Sequence, residues 1–145
     1  MFKIYTHLIA FLFLFCSCTL DCKFLKYTDG VTYFNGIKYS GDCISYFSDG
    51  KISSKQSYKD GLDNGSWEFY HTNGQIQTKG NYYFGLRNGT WVYYYDNGAL
   101  EQISHYKLGL KDSIWENYLI NHDLNWEKSF KNDSLISIIN YQRIN

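Results

Sequence analysis

NGSWEFYHTNG (residues 64–74) and NGTWVYYYDNG (88–98) set the same residue types in the same order 24 positions apart, and DSIWENYLINH (112–122) does so again more loosely. The step holds well beyond these stretches. Trp67, Trp91 and Trp115 form one column; Gly50, Gly74 and Gly98 a second; Gly61, Gly85 and Gly109 a third; Leu62, Leu86 and Leu110 a fourth. Tyr46, Tyr70, Tyr94 and Tyr118 make a column of four, as do Tyr58, Tyr82, Tyr106 and Phe130. No insertion breaks the phase from residue 41 to about 133, so the chain is built from a true internal repeat.

Each unit carries two glycine punctuations about twelve residues apart. Asp49-Gly50, Asn73-Gly74 and Asn97-Gly98 are the dipeptides that best suit a two-residue hairpin turn with positive φ. KDGLDNG (59–65), FGLRNG (84–89) and LGLKDS (108–113) then read as longer connections. The segments between are six to eight residues long and rich in aromatic and branched side chains, which is strand length and strand composition. Glycine would interrupt any helix within about three turns. The expected fold is all-β: tandem β-hairpin repeats of 24 residues in an elongated single-layer antiparallel meander. A hairpin buries little alone, so neighbouring units must supply one another's contacts.

Strand alternation puts Trp67, Phe69 and His71 on one face and Glu68 and Tyr70 on the other. The tryptophan and tyrosine columns are three residues apart. Either the sheet carries aromatic ladders on both sides, or a bulge brings the columns to one side. The tryptophan and glycine columns are the expected scaffold, and the column of Tyr46, Tyr70, Tyr94 and Tyr118 is the candidate contact face. End units depart from the pattern, as repeat caps do. Cys43 stands in the tryptophan column, Asn121-His122-Asp123 in the Asn-Gly position, and Asp133 at the connecting glycine. Half-units flank the array at VTYFNGI (31–37) and LISIINY (135–141).

The beginning of the chain is different in kind. MFKIYTHLIAFLFLFCSC has one lysine and then an apolar run from Leu8 to Phe15, a length that suits a signal-peptide core and is too short to span a bilayer. It resembles a bacterial lipoprotein signal. Cys18 is the better acceptor for lipid, because the small Ser17 precedes it whereas Phe15 precedes Cys16. This gives residues 1–17 as signal peptide, 18–30 as a linker or tether, 31–141 as the repeat domain and 142–145 as a tail. The expected location is the cell envelope, with membrane contact through the lipid. Cleavage before Cys18 leaves Cys22 and Cys43, an even pair that predicts a disulfide in an oxidising compartment.

The pattern G-x-W-x-x-Y-x-x-N-G followed by Y-x-x-G-L resembles the MORN-repeat variant family, some bacterial members of which carry the label YwqK-type antitoxin. The resemblance spans roughly residues 31–135. It implies tandem β-hairpins in an extended sheet, with roles in scaffolding and protein contacts; phospholipid binding has been proposed for related repeats. It carries no catalytic residues over.

The sequence offers little for chemistry. A G-x-S-x-G elbow, a Walker loop, H-E-x-x-H and an EF-hand loop are all missing. His71 and His105 fall in different columns, so they read as strand residues. Asp60, Asp63, Asp112 and Asp123 lie in turns, where aspartate is favoured for backbone reasons. No second C-x-x-C or histidine pair has zinc spacing. Asn64-Gly65-Ser66 and Asn88-Gly89-Thr90 match a glycosylation sequon because the repeat does. Acids and bases balance at 14 each, so no global field steers nucleic acid or an anionic surface. Aromatics without interleaved lysine and arginine also argue against single-stranded nucleic acid. One residue in five is aromatic, with 15 tyrosines, and no proline protects a sheet edge. The expectation is a non-enzymatic, cofactor-free module that binds a protein, glycan or lipid partner along its sheet. The alternative is an antitoxin-like or immunity protein that neutralises a toxin by binding.

Overall fold

The computed structural model describes residues 19–141. The segment 1–17 expected as a signal peptide, the expected lipid acceptor Cys18 and the tail 142–145 lie outside the described residues. The chain begins with β1 (Leu20–Asp21), a 3-10 turn (Cys22–Phe24), β2 (Lys26–Thr28), β3 (Val31–Phe34) and β4 (Ile37–Lys38). The four full units follow. They are β5 (Gly41–Tyr46) with β6 (Ile52–Lys59); β8 (Gly65–Tyr70) with β9 (Ile76–Tyr83); β10 (Leu86–Tyr94) with β11 (Leu100–Lys107); and β13 (Ser113–Tyr118) with β14 (Leu124–Lys131). Two short strands, β7 (Leu62–Asp63) and β12 (Leu110–Lys111), sit in the connections, and β15 (Ser134–Asn140) ends the series.

The main sheet runs β1-β5-β6-β8-β9-β10-β11-β13-β14-β15, with β7 beside β6 and β12 beside β11, as the repeat predicts. It is not antiparallel throughout: β1 pairs parallel with β5, Leu20 opposite Cys43. Residues 18–30, expected as a tether, contribute β1, the 3-10 turn and β2 to the fold, and β2-β3-β4 form a small second sheet. A disulfide between Cys22 and Cys43 ties this segment to the first unit, as the cysteine count predicts. Cys43, fully buried, thus takes the place that tryptophan fills in later units.

The two turn types are exchanged relative to the expectation. Both central residues have positive φ at Asp60-Gly61, Phe84-Gly85, Leu108-Gly109 and Asn132-Asp133, so the connections between units are the tight two-residue turns. At Asp49-Gly50, Asn73-Gly74 and Asn97-Gly98 only the glycine is left-handed. There the chain makes a longer turn, with Gly74 N–H donating to His71 O and His71 N–H to Gln75 O. The Asp or Asn side chain accepts from the backbone two residues on, as Asn73 Oδ1 does from Gln75 N–H. His122 and Asp133 adopt the φ of the glycines they replace.

Every full unit is bulged at this longer turn. Phe69 faces Thr78 but Tyr70 faces Ile76, so the extra residue, Gln77, is in β9. Alternation within β8 is untouched. The open question of the faces is settled: tryptophans line one face and the tyrosine column the other.

Pairing is continuous inside a unit and interrupted between units; β9 and β10 share five registered pairs but lose register between Asn88 and Val92. Hairpin β8-β9 has six registered pairs, whereas β6 and β8 share only Ser54–Phe69 and Lys55–Glu68, and β11 and β13 only Gln102–Asn117 and Ile103–Glu116. The indoles cross these interruptions. Trp67 Nε1 donates to Ser57 O at 3.0 Å, Trp91 Nε1 to Asn81 O at 3.2 Å and Trp115 Nε1 to His105 O at 2.9 Å, each time to the last strand of the preceding unit. Ring contacts continue the link: Tyr58–Trp67 at 5.5 Å, Trp67–Tyr82 and Tyr82–Trp91 at 5.0 Å, Tyr106–Trp115 and Trp115–Phe130 at 5.1 Å. Between Trp91 and Tyr106 the guanidinium of Arg87 is inserted, 4.4 Å from the first ring and 5.4 Å from the second. The connecting turns stack as well, Gly85 N–H donating to Asp63 O and Gly109 N–H to Arg87 O.

Trp91 is completely buried in a sheet with few other buried side chains. Trp91→Ala should therefore cost about 3–5 kcal/mol, the usual loss on emptying a large aromatic site. Chemical denaturation of the two proteins measures it. A loss below about 1 kcal/mol would mean that the indole is not structural.

Candidate functional site: the tyrosine face

The face opposite the tryptophans carries Tyr46, Tyr70, Tyr94 and Tyr118, one per unit. Each lies at the end of its strand, just before the longer turn. Two strands separate successive tyrosines, a step of about 10 Å across the sheet. Tyr46 is 49% exposed and the other three are half-buried, against 8% or less for Trp67, Trp91 and Trp115. The repeat thus supplies one closed aromatic ladder and one open one.

Charged side chains fix the open ladder. Tyr70 Oη donates to Glu68 Oε2, and Lys55 Nζ lies 3.4 Å from the same carboxylate and 5.5 Å above the Tyr70 ring. Lys79 Nζ sits 5.8 Å above Tyr94. In the last full unit, Tyr118 Oη donates to Glu116 Oε2 at 3.0 Å. The Tyr70 hydrogen bond, followed by the Lys55 charge, holds the Glu68 carboxyl below its ordinary range against the opposing effect of burial. Burial and the bond to Glu68 push the Tyr70 phenol up. Glu68 therefore stays charged and Tyr70 protonated at neutral pH. Ile44 and Val92 occupy the Glu68 position in the other two units. Among the described residues, no side chain bonds the hydroxyls of Tyr46 and Tyr94. Tyr94 lines an open depression of about 310 Å³ with Gln75, Ile76 and Gly98. Tied and untied tyrosines alternate along the row.

The tryptophan face is more tightly engaged. Arg87 donates to Tyr93 Oη at 3.2 Å and to Tyr106 Oη at 3.0 Å. Burial pushes the Tyr93 phenol up to about 12, the neighbouring Arg87 charge opposing it. Tyr58 is likewise pushed up to about 12 by burial, then by the nearby Asp63 carboxylate. Asn117 belongs to this face with Trp115: it donates to Glu101 O and accepts from Asn125.

The histidines hold structural positions. His71 Nε2 is 2.9 Å from Tyr94 O, bridging two units, and His105 Nδ1 is 3.2 Å from Thr90 Oγ1. Among the described residues, no cluster of three His, Cys, Asp or Glu side chains could hold a metal ion. Sequence reasoning passed over Lys55, Lys79 and Arg87. Lys55 and Lys79 are themselves 24 residues apart, so the repeat did contain that signal.

Comparison with known proteins agrees with the column pattern. The family model described as MORN repeat variant matches residues 39–60, 63–82 and 87–108. No curated protein matches the chain. Among solved structures, one chain of a GtfA/B complex bound to UDP and GlcNAc is similar at a TM-score of 0.40 and 12% identity. The likeness covers 80% of this chain but only 23% of that one. Three stretches between residues 39 and 108 are thus similar to MORN-variant repeats.

Proposed function

We propose that the chain is a non-enzymatic binding module, held at the cell envelope by lipid on Cys18, and that it engages a protein partner along its tyrosine face. One observation carries the reading. The tryptophan column is buried by its own neighbours, whereas the tyrosine column on the other face remains open. Tyrosine offers a rigid, amphipathic contact at small entropic cost, and arrays of it with flanking charges suit protein recognition. The Lys55–Glu68 pair and Lys79 would give such a contact its polar rim. Repeats matching the MORN variant are in keeping with a binding role. The Cys22–Cys43 disulfide supports an oxidising compartment, and so supports export.

The contact face is tested with the double variant Tyr70→Ala, Tyr94→Ala. The processed wild-type chain should retain a specific envelope protein in affinity capture, and the variant should lose most of it while keeping its melting temperature within a few degrees. Undiminished capture, or a variant that melts as early as Trp91→Ala, would show that both aromatic columns are scaffold. Anchoring is tested separately by metabolic labelling with a palmitate analogue. Label should appear on the wild type and vanish in Cys18→Ala; label that persists there and vanishes in Cys16→Ala would move the anchor to the other cysteine.

A further inference from the structure

β15 is the outermost strand of the main sheet, and its outer side has no partner among the described residues. Edge strands are normally kept from pairing with other chains by charge, proline, bulges or brevity. Ser134–Asn140 has seven residues, no charged side chain and no proline; it carries one bulge, at Ile136, and Ser137–Asn140 keep regular register with β14. Leu135, Ile136, Ile138 and Ile139 are each between 49% and 64% exposed. Tyr141 N–H donates inward to Asn125 O. By the two-residue period of a strand, Ser137 and Ile139 also face β14, which leaves the N–H and C=O of Ile138 and Asn140 pointing outward. A row of unmet backbone groups is thus flanked by apolar side chains on both faces.

We infer that this edge pairs with the same edge of a second copy of the chain, antiparallel and about a two-fold axis. Three observations select that occupant. The strand, Ser-Leu-Ile-Ser-Ile-Ile-Asn, reads polar, apolar, apolar, polar, apolar, apolar, polar in either direction. Antiparallel pairing with itself near Ser137 therefore sets apolar residues beside apolar ones and polar beside polar. The absence of charge on the strand removes the like-charge clash that self-pairing would otherwise create. At the opposite end of the sheet, β1 is only two residues long, is paired parallel and is stapled through the neighbouring Cys22, so it cannot template a full strand. With one competent edge on the main sheet among the described residues, head-to-tail stacking is disfavoured and an isologous contact closes at two copies. The axis stands perpendicular to the sheet, so the tyrosine rows of both copies lie on the same side. A dimer presents the proposed contact face twice and gains avidity for a partner with two sites.

Sedimentation equilibrium of the oxidised chain, residues 19–145, tests the inference over a concentration series. The expected result is a reversible monomer–dimer equilibrium that Ile138→Lys weakens at least about tenfold, since the two lysines would lie across one seam. Ile138 is half exposed, so the variant should melt at the wild-type temperature. Hydrogen exchange gives an independent reading: the amides of Ile138 and Asn140 should gain protection as concentration rises. A monomer at every concentration, a dimer indifferent to Ile138→Lys, or growth beyond two copies would overturn the inference.

Discussion

The whole array depends on a hydrogen bond that backbone pairing alone would not provide. Where one hairpin meets the next, the ladder thins to two registered pairs at β6–β8 and at β11–β13, and at β9–β10 it breaks between Asn88 and Val92. At each seam a tryptophan indole reaches across to a carbonyl ten residues earlier in the chain. Ser57 O and His105 O each also accept a backbone N–H, from Asn64 and Asp112, so the indole completes a carbonyl that the irregular backbone already uses. A one-layer sheet has no second layer to bury its aromatic face. Its tryptophans must be covered by tyrosines of the strands on either side, and the 24-residue period keeps the two columns in step. Stability in such an array comes from nearest-neighbour interfaces, which here are largely aromatic.

The same requirement explains the ends. Before the first full unit there is no preceding unit to receive an indole, and the chain uses Cys43 and a covalent bond to Cys22 instead. The turn of the first full unit is covered by the small sheet: Thr32 N–H donates to Gly61 O, Gly61 N–H donates to Tyr39 O, and a side chain at Gly61 would overlap Val31. After the last tryptophan, Phe130 supplies a ring without a hydroxyl, and β15 covers β14 with no aromatic ladder beyond it. Of the two sheet ends, one is closed by a covalent cap and the other ends in an uncharged strand.

The architecture was legible because the columns are chemically strict. Tryptophan, tyrosine and glycine recur at positions where no other residue type packs, bonds and turns equally well. The turns were misassigned for an equally physical reason. Asn-Gly is the best-known sequence for a tight hairpin, yet here it closes the longer turn, where only glycine needs a left-handed backbone and the asparagine caps the loop. The tight turns fall on Phe84-Gly85 and Leu108-Gly109, where a bulky residue takes positive φ at a cost that propensity argues against. Two partners made by tertiary contact were invisible to local pattern: Arg87, which stands in for a ring between Trp91 and Tyr106, and β1, which pairs parallel with β5 beside the disulfide. The faces were undecided in the sequence because a bulge leaves its mark on the strand opposite the columns it was suspected of shifting.

Gly80 gives the most direct test of the central claim without altering any aromatic residue. It lies in β9 against Trp91, and a methyl group built on its Cα would overlap the indole ring. Glycine is otherwise an unfavourable strand residue, so by propensity alone Gly80→Ala should stabilise the sheet. If the indole clamp holds the units together, the added methyl group must displace Trp91 from its carbonyl. Urea denaturation should then show a loss of about 1–3 kcal/mol, as overpacking does elsewhere, with indole fluorescence shifted towards that of exposed tryptophan. A variant as stable as the wild type or more so, with unchanged fluorescence, would contradict the account.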